Sequence, residues 1–406
     1  MYILYNFLNR KVTLKSIVAV LILVMFIFYP FLNQYFDEVI AMIATLYLVI
    51  QLLFSIKKFD KFDFRIIGLL LAYFVIGFIS NIFSSIDRSL FMVLTDYFLF
   101  SKVFILLLGS KIFLSSIGYL EVIEILRVPA KLFTVLVAIS GIAEQFIDLG
   151  MSNGQRYGIK SFAFIYGYGG ALGLILFFVF GILLLDKKST NTFFLSLNIL
   201  SILLTTKISV IILPVSFIGL YVILTWSQKF KLWQLIPLAI IAYPFADWSI
   251  KAYLLNENYS ARSVLYKGSF QIFNQFFPLG SGFGTYGGEM AARYYSPIYL
   301  KLQFYNYDGL EMLGLKDYNY LNDNYLSMII AQTGFLGIGV FLSIVLVLIQ
   351  SANDAKYSFL ERVFTISTII GLFASSVGSS MLKTSPGCLL FIFLGIVLAN
   401  KKKGIE

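Results

Sequence analysis

Hydrophobic residues along this chain form long runs separated by short polar and basic loops. A helix needs about 20 apolar residues to cross a hydrocarbon core, and its backbone groups must bond within the helix because lipid offers no partners. The runs therefore predict an all-α, polytopic membrane protein with about twelve transmembrane helices. The predicted spans lie near residues 14–32, 39–56, 65–83, 90–109, 129–147, 161–185, 192–206, 208–226, 232–247, 324–349, 363–382 and 386–400.

Two segments depart from this up-and-down pattern. Residues 111–128 alternate apolar and charged positions before Pro129, which predicts an amphipathic helix on the cytoplasmic surface. Residues 248–321 are long, polar and rich in tyrosine, and they predict a large extracytoplasmic loop containing short helices. The chain thus divides into helices 1–9 over residues 1–247, the loop, and helices 10–12 over residues 322–406.

Composition agrees with a membrane location. Hydrophobic residues make up 59% of the chain and charged residues 13%, with a mean hydropathy of +0.87, values that exclude an ordinary soluble domain. The net charge of +10 is spread over interhelical loops. That spacing argues against a nucleic-acid partner and fits the positive-inside rule, with both termini cytoplasmic. The first run has no small-residue cleavage site, so we expect a retained helix.

The chain has one cysteine, Cys388, and no histidine. A disulfide framework is excluded, and thiolate or imidazole metal sites are disfavoured. Carboxylate-bound Mg²⁺ or Mn²⁺ stays open on composition alone. We expect no metal and no cofactor.

Basic side chains on the predicted outer side are the first candidates for chemistry. Arginine guanidinium groups bind phosphate oxygens in a bidentate manner, so we predict that Arg156 and Arg262 bind a diphosphate. Each could instead contact lipid headgroups or a nearby carboxylate. Further candidate substrate-binding cations are Arg88, Lys207, Lys267 and Arg293.

The second group of candidates lies where the long loop returns to the membrane, in the stretch Asn322-Asp323-Asn324-Tyr325. Asp323 is a candidate catalytic residue that would orient an attacking hydroxyl, or else an N-cap without catalytic duty. Its neighbours Asn322, Asn324 and Tyr325 are candidate substrate contacts. The carboxyl groups of Asp96 and Glu144 are weaker candidates, because buried intramembrane acids usually have a partner or a role.

These features together resemble the O-antigen polymerase and ligase superfamily, specifically the Wzy-type polysaccharide polymerases. The resemblance covers most of the chain: the helix number, the late outer loop, Arg156 separated from Gly167 by ten residues, and the sequence Leu-Gly-Ser-Gly-Phe-Gly that ends at Gly284. It implies a metal-independent glycosyltransferase of the bacterial inner membrane, whose donor and acceptor are undecaprenyl-diphosphate-linked oligosaccharides. Its further partners would be membrane lipid and a polysaccharide chain-length regulator.

Two alternatives stay open. One is an O-antigen ligase of the same superfamily, although Asn322 stands where the ligase branch has a histidine. The other is a flippase for the same lipid-linked sugars. Transporters commonly show two related halves and broken helices, which are not visible in this sequence.

Overall fold

The computed structural model describes residues 13–188, 191–227, 229–237, 240, 260–315 and 319–399. It is mostly helical, with 73% helix and 2% strand. The first helices are α1 (Leu14–Ile27), α2 (Phe36–Phe54), α3 (Lys61–Ser84), α4 (Leu90–Phe113) and α5 (Leu120–Phe146). A hairpin of β1 (Ser152–Arg156) and β2 (Ile159–Phe162) follows, and then α6 (Gly169–Leu185), α7 (Thr192–Leu204) and α8 (Ile208–Ser227). The remaining helices are α9 (Ala261–Gln275), α10 (Glu289–Arg293), α11 (Pro297–Lys301), α12 (Tyr325–Ala352), α13 (Phe359–Ser375) and α14 (Ser385–Leu398).

Five of the described helices, α2, α3, α4, α8 and α12, are long and apolar enough to cross a membrane. The shorter apolar helices are α1, α6, α7 and α14. Together these elements agree with an all-α membrane protein. The predicted span near 232–247 lies largely outside the described residues.

Two predicted boundaries differ from the structure. The segment 111–128 is not one amphipathic helix, because α4 continues to Phe113 and α5 begins at Leu120 and runs through Pro129 without a break. The predicted span over 161–185 begins eight residues later, at Gly169, because the preceding residues form the β-hairpin and a 3₁₀ turn. A short apolar run is compatible with a strand or with a helix, so hydropathy could not distinguish the two conformations in this segment.

Buried ion pairs fix neighbouring helices together. Lys102 of α4 donates to Asp37 and Glu38 at the start of α2, at 2.7 and 2.9 Å. Lys111, near the other end of α4, donates to Asp60 and to Asp63 at the start of α3, at 2.8 and 2.7 Å. Charges in an apolar interior are tolerated when they are paired, so these networks hold α2 and α3 in place against α4.

The glycine-rich stretch after α9 packs against a break in α12. Gly334 has φ +58°, which interrupts the helix and leaves backbone carbonyls without helical partners. Those of Ala331 and Gln332 accept hydrogen bonds from Ser281 and Gly282 at 2.8 Å each. Buried backbone polar groups need hydrogen-bond partners, and here the glycine-rich loop supplies them.

Side chains from α3 and α4 complete this packing. Asn81 donates to the Phe283 carbonyl at 2.9 Å and accepts from the Phe283 amide at 2.8 Å. Asp96 accepts from the Gly284 amide at 3.0 Å and from Gln332 Nε2 at 2.6 Å. The weak candidate Asp96 is therefore bonded on several sides within the protein and holds the loop.

Candidate functional site

A cavity of about 580 Å³ opens where the β-hairpin, the α7–α8 turn, the start of α9 and the ends of α12 and α13 meet. We call it the arginine cavity. It contains four charged side chains from four separate parts of the chain: Arg156, Lys207, Arg262 and Asp323. Its polar and aromatic lining also includes Tyr168, Ser209, Ser260, Tyr266, Tyr320, Ser375 and Ser379.

Arg262 and Asp323 form an ion pair inside this cavity. Arg262 donates from Nε at 3.0 Å and from Nη2 at 2.7 Å, and both bonds end on Asp323 Oδ2. Both side chains keep about a quarter of their surface accessible, 22% and 28% respectively. The pair is therefore open to a ligand while its internal geometry is fixed.

Local capping explains how the two partners are positioned. The Ser260 hydroxyl accepts from the Ser263 amide at 3.2 Å and starts α9 just before Arg262. At α12 the cap is Asn324, whose Oδ1 accepts from the Ser327 amide at 3.2 Å. Asp323 is thus not the N-cap, and its carboxylate points to Arg262 instead of the helix end.

Lys207 lies between α7 and α8 and is 8% exposed. Its Nζ lies 4.5 Å from the centroid of the Tyr168 ring, a cation–π contact. Burial first, and then the like charges of Arg156 and Arg262, lower the pKa of Lys207 to about 8, with Asp323 opposing that shift. The ammonium is therefore mostly protonated at neutral pH and loses its charge under mildly basic conditions.

Arg156 ends β1 and reaches the cavity through a tight hairpin. Tyr157 and Gly158 have φ +54° and +75°, the sign that a two-residue β-turn with the right twist requires. Glu144 fixes the approach to this hairpin, since its Oε2 accepts from the amides of Leu149 and Met151 at 2.9 and 3.4 Å. Glu144 therefore has a structural role outside the cavity, where it binds the backbone that precedes the hairpin.

Three cations face one carboxylate in the arginine cavity, so it carries excess positive charge. Guanidinium and ammonium donors in a partly desolvated cavity bind anions such as diphosphates. Asp323 adds an acceptor that a hydroxyl group can donate to. The set can therefore bind an anionic group and orient a hydroxyl beside it.

The other predicted substrate contacts do not line this cavity. Arg293 bonds to Glu289 within α10 and to the Tyr35 hydroxyl, each at 3.4 Å. Asn322 donates to Glu289 Oε2 at 2.6 Å. Lys267 lies on the exposed face of α9. These residues lie in or next to the segment 248–321 and do not join the four charged groups.

Of two further predicted contacts, Tyr325 is buried and Arg88 is half-buried. Tyr325 packs its ring near Phe100 and Phe341, with centroids 6.1 and 6.0 Å away. Arg88 has its Nε and Nη2 buried with no hydrogen-bond partner within the described part of the chain, and its Nη1 is 3.9 Å from Met92 Sδ. Neither side chain belongs to the arginine cavity.

Sequence reasoning missed several residues of the cavity wall. Tyr266 donates to the Val377 carbonyl at 2.6 Å and ties α9 to the segment after α13. That segment, Ser375–Ser380, reads Ser-Ser-Val-Gly-Ser-Ser and was placed inside the predicted span 363–382. Small polar residues at the end of an apolar run were the available signal that the helix ends there.

No protein-family model matches this chain, and no curated protein matches it.

Proposed function

We propose that this protein is a membrane glycosyltransferase that polymerises undecaprenyl-diphosphate-linked oligosaccharide repeat units, a Wzy-type polymerase acting on the outer side of a bacterial inner membrane. The observation that carries the proposal is the arginine cavity. Arg156, Lys207, Arg262 and Asp323 are far apart in sequence and come together at one opening among apolar helices. The resemblance to Wzy-type polymerases had singled out Arg156 and Arg262, and the neighbouring charges fit the same chemistry.

The charges suit a reaction whose leaving group is a diphosphate. In the proposed step the acceptor hydroxyl oxygen bonds to the anomeric carbon of the donor chain. The bond from that carbon to the diphosphate oxygen breaks, and its electron pair stays on the diphosphate. Arg156, Lys207 and Arg262 stabilise the charge that develops there, which is where preorganised donors contribute most.

Asp323 takes the role of orienting the acceptor. Its carboxylate accepts the hydroxyl proton as the new bond forms and passes it to solvent. The ion pair with Arg262 fixes the position of this carboxylate. A weak base is sufficient because diphosphate is a good leaving group.

Deletion of the gene in its host tests the function, with surface polysaccharide separated on a gel and a plasmid copy as control. A polymerase predicts loss of the long ladder with a single-repeat band retained. Carrier-bound polymer that accumulates outside the inner membrane would instead indicate a ligase. Repeat units that accumulate on the cytoplasmic leaflet would indicate a flippase.

A further inference from the structure

A second cavity, of about 320 Å³, shares a wall with the first at Tyr168. We call it the lysine cavity, because Lys102 and Lys383 line it together with Asp37 and Glu38. Its volume lies at the lower end of the roughly 300–1,000 Å³ that is typical of small-molecule sites. Nothing in the proposed transfer step uses these residues.

The lysine cavity holds one hydrogen-bond donor and one acceptor that the protein leaves unused. Lys383 Nζ is buried and has no hydrogen-bond partner among the residues the structure describes, although part of its stem stays exposed. Glu38 uses Oε1 to accept from Lys102, while its Oε2 is buried and likewise unpaired in the described chain. Unsatisfied buried polar groups are destabilising, and more so when they are charged, so a ligand that bonds to both groups is favoured.

The charge balance of the cavity indicates what kind of ligand fits. Two carboxylates, Asp37 and Glu38, face two ammonium groups, Lys102 and Lys383. Lys102 is occupied by both carboxylates at 2.7 and 2.9 Å. With opposite charges in equal number, the lining favours a neutral polar group that both donates and accepts hydrogen bonds over an anion.

Aromatic rings complete the lining. Tyr29 and Tyr168 both line the lysine cavity, and Tyr29 is held by stacking on Tyr166 at 5.9 Å between centroids. Amphipathic rings of this kind suit sugars, which present one apolar face and a polar rim. In the arginine cavity, the Tyr168 ring also makes the cation–π contact with the Lys207 ammonium.

We propose that the lysine cavity binds one neutral sugar of a lipid-linked repeat unit, with Lys383 donating to and Glu38 accepting from its hydroxyls. This inference rests on the proposed polymerase function and adds a specificity subsite to it. Since Tyr168 borders both cavities, a sugar held here lies beside the diphosphate held by the arginine cavity. The subsite would select for the sugar next to the reacting centre.

Binding of free oligosaccharide to the purified, detergent-solubilised protein tests this. The probe is the repeat-unit oligosaccharide released by mild acid from the lipid-linked pool of the gene-deleted host, so it lacks both lipid and diphosphate. Lys383→Met is expected to weaken its binding about tenfold, the loss of one charge-assisted hydrogen bond. Lys301→Met is the matched control, since Lys301 is exposed and bonds only to Gln275, at 3.1 Å, among its described contacts.

Glu38→Gln separates a neutral sugar from an anionic ligand. Removal of a negative charge weakens binding of a neutral sugar that donates to the carboxylate, and it tightens binding of an anion. Unchanged binding in Lys383→Met, or tighter binding in Glu38→Gln, overturns the proposal. Each variant is compared with the wild type for melting temperature, so that loss of fold is not read as loss of binding.

Arg262→Gln distinguishes failure of the subsite from failure of the proposed function. It should lose binding of inorganic pyrophosphate and keep binding of the free oligosaccharide. If the protein is not a polymerase, deletion gives carrier-bound long polymer or repeat units on the cytoplasmic leaflet, instead of a lost ladder with the single-repeat band retained. If only the subsite is misassigned, polymer is lost on deletion while Lys383→Met binds the oligosaccharide as the wild type does.

Discussion

Arg262 and Asp323, 61 positions apart in the chain, meet with two guanidinium nitrogens on a single carboxylate oxygen, at 3.0 and 2.7 Å. This arrangement fixes the guanidinium plane, because both hydrogen bonds end on Asp323 Oδ2. Arg262 is thereby positioned from inside the protein, and the arginine cavity gains a carboxylate next to its cations.

Replacement of Arg262 should abolish polymer formation. Arg262→Lys keeps the charge but loses the planar fork, so it should also lose most activity, about 10²–10³-fold if the group stabilises the leaving diphosphate. Arg65→Gln is the control. Arg65 is exposed near the start of α3, at the opposite end of that helix from the contact with the glycine-rich loop. The measurement is ladder formation in complemented cells at matched protein level. A normal ladder from Arg262→Lys would contradict bidentate binding.

Asp323→Asn should reduce the rate of chain extension about 10²–10⁴-fold, the range for removal of a proton acceptor. The ion pair is partly exposed, and such pairs contribute roughly 0–1 kcal/mol to stability. We therefore expect little change in melting temperature. A variant that melts far below the wild type would assign Asp323 a structural role in place of a chemical one.

Activity should fall as pH rises through about 8, because the Lys207 ammonium loses its charge there. The pKa of this amine is lowered in the folded protein, so the charged form that binds the diphosphate is complete near pH 6 and partial above pH 8. Lys207→Arg keeps its charge over this range and should remove the alkaline decline. Measurement of pyrophosphate binding from pH 6 to 9.5 checks this; identical profiles for both proteins would contradict it.

Gly282→Ala should unfold the glycine-rich loop. Gly282 has φ +91°, and an added Cβ would lie 2.4 Å from the Asn81 side chain. Loss of the loop exposes the α12 carbonyls that it satisfies, so we expect lower melting temperature and lower yield from the membrane. Gly339→Ala, in α12, is the control, because nothing lies within 4 Å of an added Cβ there. Equal stability of the two variants would argue against this packing role.

Hydropathy was sufficient to predict most of the helices, because residues such as those of α3 and α12 must be apolar wherever lipid surrounds them. It also led to an overextended span near 363–382, since a single window averages the small polar residues after Ser375 with the apolar helix before them. The β-hairpin at Ser152–Phe162 was also missed. Its turn depends on the backbone conformation of Tyr157 and Gly158, which hydropathy does not report.

The candidate site was predictable only in part. Charge type and predicted side of the membrane suggested Arg156, Arg262 and Lys207, and equally Arg293 and Lys267. Sequence could not separate these cations, because which of them converge beside Asp323 depends on helix packing. The glycine-rich sequence attracted attention as a functional feature, yet its amides bond to α12. Sequence pattern alone does not distinguish a loop that binds a ligand from one that binds the protein itself.

Reconstitution measures the central claim most directly. The purified protein would be placed in liposomes with lipid-linked repeat units extracted from the gene-deleted host, and products followed by gel and mass spectrometry. Our account predicts a ladder of lipid-linked oligomers, with one undecaprenyl diphosphate released for each linkage formed, and no ladder from Arg262→Ala. Repeat units that stay single while crossing the bilayer, or a ladder of equal length from Arg262→Ala, would contradict it.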